Sequence, residues 1–255
     1  DLWPLSLFCI GIAVLGTLTS LLLRPLPATH PGLPIKPSSL AVDSRTWRII
    51  RGDRWLLIVL LISSLFWMAG GMVQPAVNAY GKQQLGLDDF QTSLLLTGVG
   101  CGIAVGCALA GALCGNRIHF GIATIGAWGI TLTSCGLAAV PWLAQTHDSA
   151  KWMSALLLLL MGVSAGFFAV PLQVFMQARP PTGQKGRMMG AMNLFNWIGI
   201  LLSAAAYGIC SSLFTRPPPT EGGAPVSTIS WTFAVVGAMM LPVAVFFRPT
   251  SEELA

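Results

Sequence analysis

Seven long apolar runs, separated by short polar stretches, set the pattern of this 255-residue chain. They fall at about residues 5–23, 55–79, 92–115, 120–143, 153–177, 190–214 and 231–247. Each is long enough to match the roughly 20 apolar residues that cross bilayer hydrocarbon as a helix. Backbone polar groups must be satisfied within the bilayer, so the runs are read as helices. A transmembrane barrel would show short alternating segments instead, and none stands out. The predicted class is an all-α polytopic membrane protein with seven spans.

Residues 91–121, QTSLLLTGVGCGIAVGCALAGALCGNRIHFG, carry the densest small-residue pattern. Gly98, Gly102 and Gly106 recur every four residues, Ala110 continues the series, and Gly111 and Gly115 repeat the spacing. On a helix this keeps small residues on one slowly drifting face, where two backbones can approach closely in lipid. The run ends in a polar turn with Arg117 and His119.

Composition agrees with the pattern. Hydrophobic residues make up 54% of the chain and charged residues 9%, against roughly 25% charged in soluble domains. The net charge of +5 does not point to nucleic acid, because the basic residues sit between apolar runs. Of the 14 Lys and Arg residues, 11 fall in the first, third and fifth linkers and the C-terminal tail. The other linkers hold only Lys82, Lys151 and Arg216. The positive-inside rule therefore puts the long first linker and the C-terminus in the cytoplasm. A chain opening at Asp1 with an apolar run, and no basic leader before it, is read as part of a longer protein.

The first linker isolates the first run from the other six. The expected organisation is a lone helix at 1–23, a cytoplasmic linker at 24–53, a six-helix bundle at 54–248 and a tail at 249–255. Two three-helix groups of opposite topology within the six match inverted-repeat transporter architecture. The linker opens on a proline-rich stretch, RPLPATHPGLPIKP, and then reads as a short amphipathic helix capped by Ser38 or Ser39. Arg45, Arg48 and Arg51 recur every three residues, followed by Arg54, with Leu40, Trp47 and Ile50 as apolar surface. Such a helix is expected to lie at the membrane surface with its arginines toward lipid phosphates, or to serve as a topology anchor.

Chemistry inside the spans is neutral. No acidic or basic residue lies in a span interior, and intramembrane carboxylates are the usual marks of proton relays. The six cysteines form no metal-ligand pattern, and His30, His119 and His147 lie in linkers, so neither a metal site nor a catalytic constellation is expected. Candidate substrate-path residues are the amides Gln74, Asn78, Gln173, Gln177, Asn193 and Asn196, which also suit interhelical hydrogen bonding. Pro75 and Pro171 are candidate kinks. Trp55, Trp142, Trp152 and Trp231 mark span ends as an interfacial belt.

Three stretches carry a family resemblance: residues 78–111, the loop GALCGNRIHFG at 111–121, and GQKGRMMGAMNLFNWIGILLSA at 183–204. The chain resembles the C-terminal half of a major facilitator superfamily transporter. Within that superfamily it is similar to the bacterial lysophospholipid transporter group, whose members occur alone or fused to acyltransferase and acyl-ligase domains. The last stretch resembles that group's R-G-R-x-x-A-x-N-x-x-N pattern, with Lys185, Gly186 and Arg187 at its start and Asn193 and Asn196 at its end. The superfamily's loop signature carries an acid where this chain has Gly115. The lysophospholipid group tolerates glycine there.

The resemblance implies two six-helix bundles rocking about a central site, with the first run here as the sixth helix and the rest as the seventh to twelfth. It implies a missing N-terminal bundle, membrane lipids and a lysophospholipid or other small molecule as partners, an associated or fused acyltransferase as a further partner, no cofactor, and a bacterial inner membrane location. Gly98, Gly102, Gly106, Gly111, Gly115, Arg117 and Arg187 become packing or gating candidates, the glycine face being a candidate sliding contact between bundles. The leading function is lysophospholipid translocation by alternating access. The alternatives are a drug, sugar or metabolite carrier, and a non-transporting domain that serves a phospholipid acyltransferase.

Overall fold

The computed structural model describes residues 3–22, 42–115, 119–181, 183–216 and 226–248. Arg117, the proline-rich stretch, Ser38, Ser39, Leu40 and the 249–255 tail lie outside the described residues. The chain divides into two compact units, Asp1–Ala41 and Val42–Ala255. The first holds one apolar helix, α1 (Trp3–Leu21), whose large side chains are exposed along its length.

The second unit carries α2 (Ser44–Gly52), α3 (Arg54–Ala79), α4 (Asp89–Cys114), α5 (Phe120–Leu143), α6 (His147–Ala178), α7 (Lys185–Phe214) and α8 (Trp231–Phe246). A two-residue antiparallel pairing, β1 (Thr215–Arg216) with β2 (Val226–Ser227), joins α7 to α8. Five helices, α3 to α7, are long and apolar enough to cross a membrane, and Ser6–Leu21 and Trp231–Phe246 are shorter apolar helices. These are the seven predicted runs. α5 matches its predicted bounds, whereas α6 and α7 begin about five residues earlier. Polar residues that cannot enter hydrocarbon still form good first turns there. At α6, Thr146 and Ser149 close a reciprocal capping box.

In lipid there is little hydrophobic force between helices, so association depends on close van der Waals packing and interhelical hydrogen bonds. Each major helix pair meets at small residues. Gly102 and Gly106 of α4 are buried against the α6 backbone, where an added Cβ would collide with the carbonyls of Leu159 and Val163. Gly162 and Gly166 of α6 face back onto Val99, Gly106 and Cys107 in the same way. Gly126 and Gly129 of α5 meet Ser164 and Phe168, Gly199 of α7 meets Ser64 of α3, and Gly237 of α8 meets Thr131 and Cys135 of α5. Gly98 and Gly111, at the same sequence spacing, meet nothing within 4 Å. The glycine series predicted a single face. The structure engages its middle two members within the bundle, against α6, rather than leaving them for a second bundle.

α3 continues into a π-helical turn, Tyr80–Gln84, closed by the Leu85 N–H on the Tyr80 carbonyl at 3.0 Å. The turn is held on two sides. The buried Tyr80 hydroxyl lies 2.9 Å from Ser154 Oγ on α6, and its ring meets Phe233 of α8 edge-on at 5.6 Å. Gln84 donates to Ser230 Oγ at 3.2 Å and accepts from the Ser230 N–H at 3.0 Å.

If these contacts fix the bundle, Gly106→Leu should lower the thermal midpoint of the purified protein, by an overpacking cost of about 1–3 kcal/mol. Gly98→Leu or Gly111→Leu, facing open space, should leave it near the parent value. Differential scanning fluorimetry in detergent reads the difference.

Candidate functional site

At the end of the bundle where α6 gives way to α7, one residue does three jobs. Asp53 sits alone in extended conformation between α2 and α3 (φ −113°, ψ 106°). Its N–H closes α2 on the Ile49 carbonyl at 3.1 Å. Its Oδ1 caps α3 by accepting from the N–H groups of Trp55 at 3.0 Å and Leu56 at 3.3 Å. Its Oδ2 accepts from Arg179 Nε, at the C-cap of α6, at 2.8 Å. Burial pushes the Asp53 carboxyl up. The Arg179 hydrogen bond, the backbone donors and the Arg179 charge together outweigh that and hold it below the usual carboxylate value.

α2 is drawn into the same arrangement. Thr46 and Ile50 are buried, and α2 packs on α3 and α7. Trp47 stacks on Phe195 of α7 at 6.0 Å and 12°. Asp43, at the N-cap of α2, accepts from Arg187 Nη1 at 3.4 Å. The predicted amphipathic helix is present, but it starts at Ser44 after Asp43, so Ser38 and Ser39 do not occupy its N-cap. Its apolar side lies on the bundle rather than in lipid, while Arg45, Arg48 and Arg51 stay exposed.

The six amides do not form one constellation. Gln74 and Asn78, both exposed, occupy the last two turns of α3. Gln173 and Gln177 occupy the last turns of α6, and Asn193 lies near the start of α7. Asp53–Arg179 fixes the start of α3 beside the end of α6. At 1.5 Å per residue, the α3 amides therefore stand roughly 20–25 Å from Asn193 along the bundle. Asn196 is 6% exposed, and its Oδ1 accepts from Ser63 Oγ of α3 at 3.0 Å. Asn193, three residues earlier, is exposed. Of this pair the structure leaves Asn193 open and engages Asn196 in helix packing, next to a second α3–α7 bond from Ser64 Oγ to the Phe195 carbonyl at 2.7 Å.

Gly115, standing where the loop signature carries an acid, ends α4 with φ +49° and ψ −122°. That region admits glycine with ease and other residues only under strain. The glycine is thus the stop of α4, with its N–H on the Gly111 carbonyl at 3.2 Å. Arg187 meets Asp43, half exposed. Among the described residues no cluster of His, Cys, Asp and Glu could hold a metal.

Long apolar helices, crossed at glycines and free of charge in their interiors among the described residues, are features of a multi-pass membrane bundle. The family model for the Major Facilitator Superfamily matches residues 3–204. The chain belongs to the major facilitator superfamily. It is an integral, multi-pass membrane protein of a transporter family. Comparison with curated proteins and with solved structures returns no match. Among the amides, Gln74 and Asn78 of α3, Gln177 of α6 and Asn193 of α7 are exposed. Asp53 is the residue that sequence reasoning passed over. Its signal was an N-capping acid directly before an apolar run, in Gly52-Asp53-Arg54-Trp55.

A carboxyl held below its unfolded value stabilises the fold above that value and loses the contribution as pH falls through the folded one. The Asp53 contribution should therefore be intact above about pH 5 and fade only below the ordinary Asp value of about 3.9. In thermal melts across pH, Asp53→Asn should lower the midpoint at neutral pH and converge on the parent in acid. A constant offset at all pH values would contradict this role.

Proposed function

We propose that this chain forms the second bundle of a carrier that moves lysophospholipid between leaflets of a bacterial inner membrane, with α2 on the cytoplasmic side. One observation carries the substrate reading. On α7, a line of exposed residues, Gly186, Gly190, Asn193 and the aromatic Trp197, runs beside an aliphatic stripe, Leu194, Ile198, Leu202, Ile209 and Leu213. The first offers the uncharged Asn193 amide and the Trp197 indole N–H as hydrogen-bonding groups, suited to a zwitterionic head group. The second offers an apolar wall for a single acyl chain. The resemblance of residues 183–204 to the lysophospholipid group supports the same reading. A first bundle would complete the path, and an acyltransferase, fused or associated, would consume the product.

The experiment is uptake of head-group-labelled lysophosphatidylethanolamine into vesicles bearing the full-length protein. Uptake above empty vesicles is expected. Asn193→Leu should reduce it about fivefold, the worth of one hydrogen bond, whereas Leu194→Ala should change it little. No uptake of the lysolipid, with transport of a sugar or drug by the same preparation, would overturn the substrate in favour of a general carrier.

A further inference from the structure

The bundle end around α2 is strongly and unevenly charged. Arg45, Arg48 and Arg51 on α2, Arg54 at the start of α3, Lys185 at the start of α7 and Arg248 after α8 are all exposed. Only two carboxylates among the described residues stand at this end, and each already holds another cation: Asp43 pairs with Arg187 and Asp53 with Arg179. The six exposed cations have no carboxylate partner among the described residues. Arg51 is placed by its own helix, its guanidinium 4.8 Å over the Trp47 ring. α2 itself cannot swing away as a free amphipathic segment, because Ile50 is fully buried and Trp47 is stacked on Phe195. Phe195 lies roughly three turns into α7, so the first turns of α7 reach past α2. One extended residue separates α2 from the span that follows. Together these hold the arginines beside the ends of the spans, where lipid phosphates lie.

We infer that this end of the bundle is a rigid binding surface for the head groups of anionic phospholipids in the protein's own bilayer. Surface-inserting helices use an apolar face to reach lipid. Here the apolar face docks on protein, so recognition is by charge at fixed positions. Arginine suits it, presenting planar donors to phosphate oxygens. The inference needs only the transmembrane disposition of the chain and stands apart from the identity of the transported solute.

The test is lipid retention by the full-length protein. Detergent-purified protein is incubated with equal amounts of phosphatidylglycerol and phosphatidylcholine, and the bound lipid is measured by native mass spectrometry at low and high salt. The parent should retain phosphatidylglycerol preferentially, and salt should weaken the preference. The triple variant Arg45→Gln, Arg48→Gln, Arg54→Gln should lose it, by about fivefold per arginine at low salt. Lys82→Gln with Lys151→Gln, at the opposite end, should keep it. A thermal melt confirms that the triple variant is folded, as expected for exposed side chains. Equal preference in the folded triple variant and the parent would overturn the assignment. So would no preference in the parent, which would leave the patch to a soluble acidic partner instead.

Discussion

The close crossing of α4 over α6 is the constraint on which the other helix positions depend. Gly102 and Gly106 lie against the backbone of Leu159–Val163, and Gly162 and Gly166 return the contact. In hydrocarbon this approach replaces the hydrophobic force that would pack the same helices in water. It fixes α6, and α6 in turn carries α5 through Gly126 and Gly129. α5 receives α8 at Gly237, and α8 takes the end of α3 through Tyr80 and Gln84. The far side closes with α3 on α7, through Gly199 and the Ser63–Asn196 bond. Among the described residues, ion pairs stand only where the helices end, at Asp53–Arg179 and Asp43–Arg187 on one side and Lys82–Asp89 and Lys151–Asp148 on the other.

That order divides the labour among residues of the same type. Glycines at the crossings serve packing, while Gly98 and Gly111 stay open. Asparagines three apart on α7 differ likewise, with Asn196 on Ser63 and Asn193 exposed. Of the six amides, the proposed transport path therefore uses exposed Asn193 and not Asn196.

The spans were legible because hydrocarbon imposes length and excludes charge, and both are visible in one sequence. The superfamily was legible from the resemblance of residues 78–111, 111–121 and 183–204, the first of which spans glycine-rich α4. The starts of α6 and α7 were less so, because a capping box or a basic first turn extends a helix beyond its apolar part. The direction each amide faces was not legible at all. It depends on which neighbour stands across the gap, and Asn193 and Asn196 look alike in sequence. The docking of α2 was hidden for a related reason: an amphipathic face reads the same whether lipid or protein covers it. Gly115 is the reverse case, where an apparent loss of a signature acid is explained by a backbone angle.

The central claim is that glycine crossings make α3 to α8 one body. Spin labels at the exposed positions Leu94 of α4 and Leu156 of α6 measure it by double electron–electron resonance. In vesicles with and without lysophosphatidylethanolamine, the account predicts one narrow distance distribution that does not move. A shift approaching one helical turn, about 5 Å, would mean that α4 slides on α6, and would contradict it.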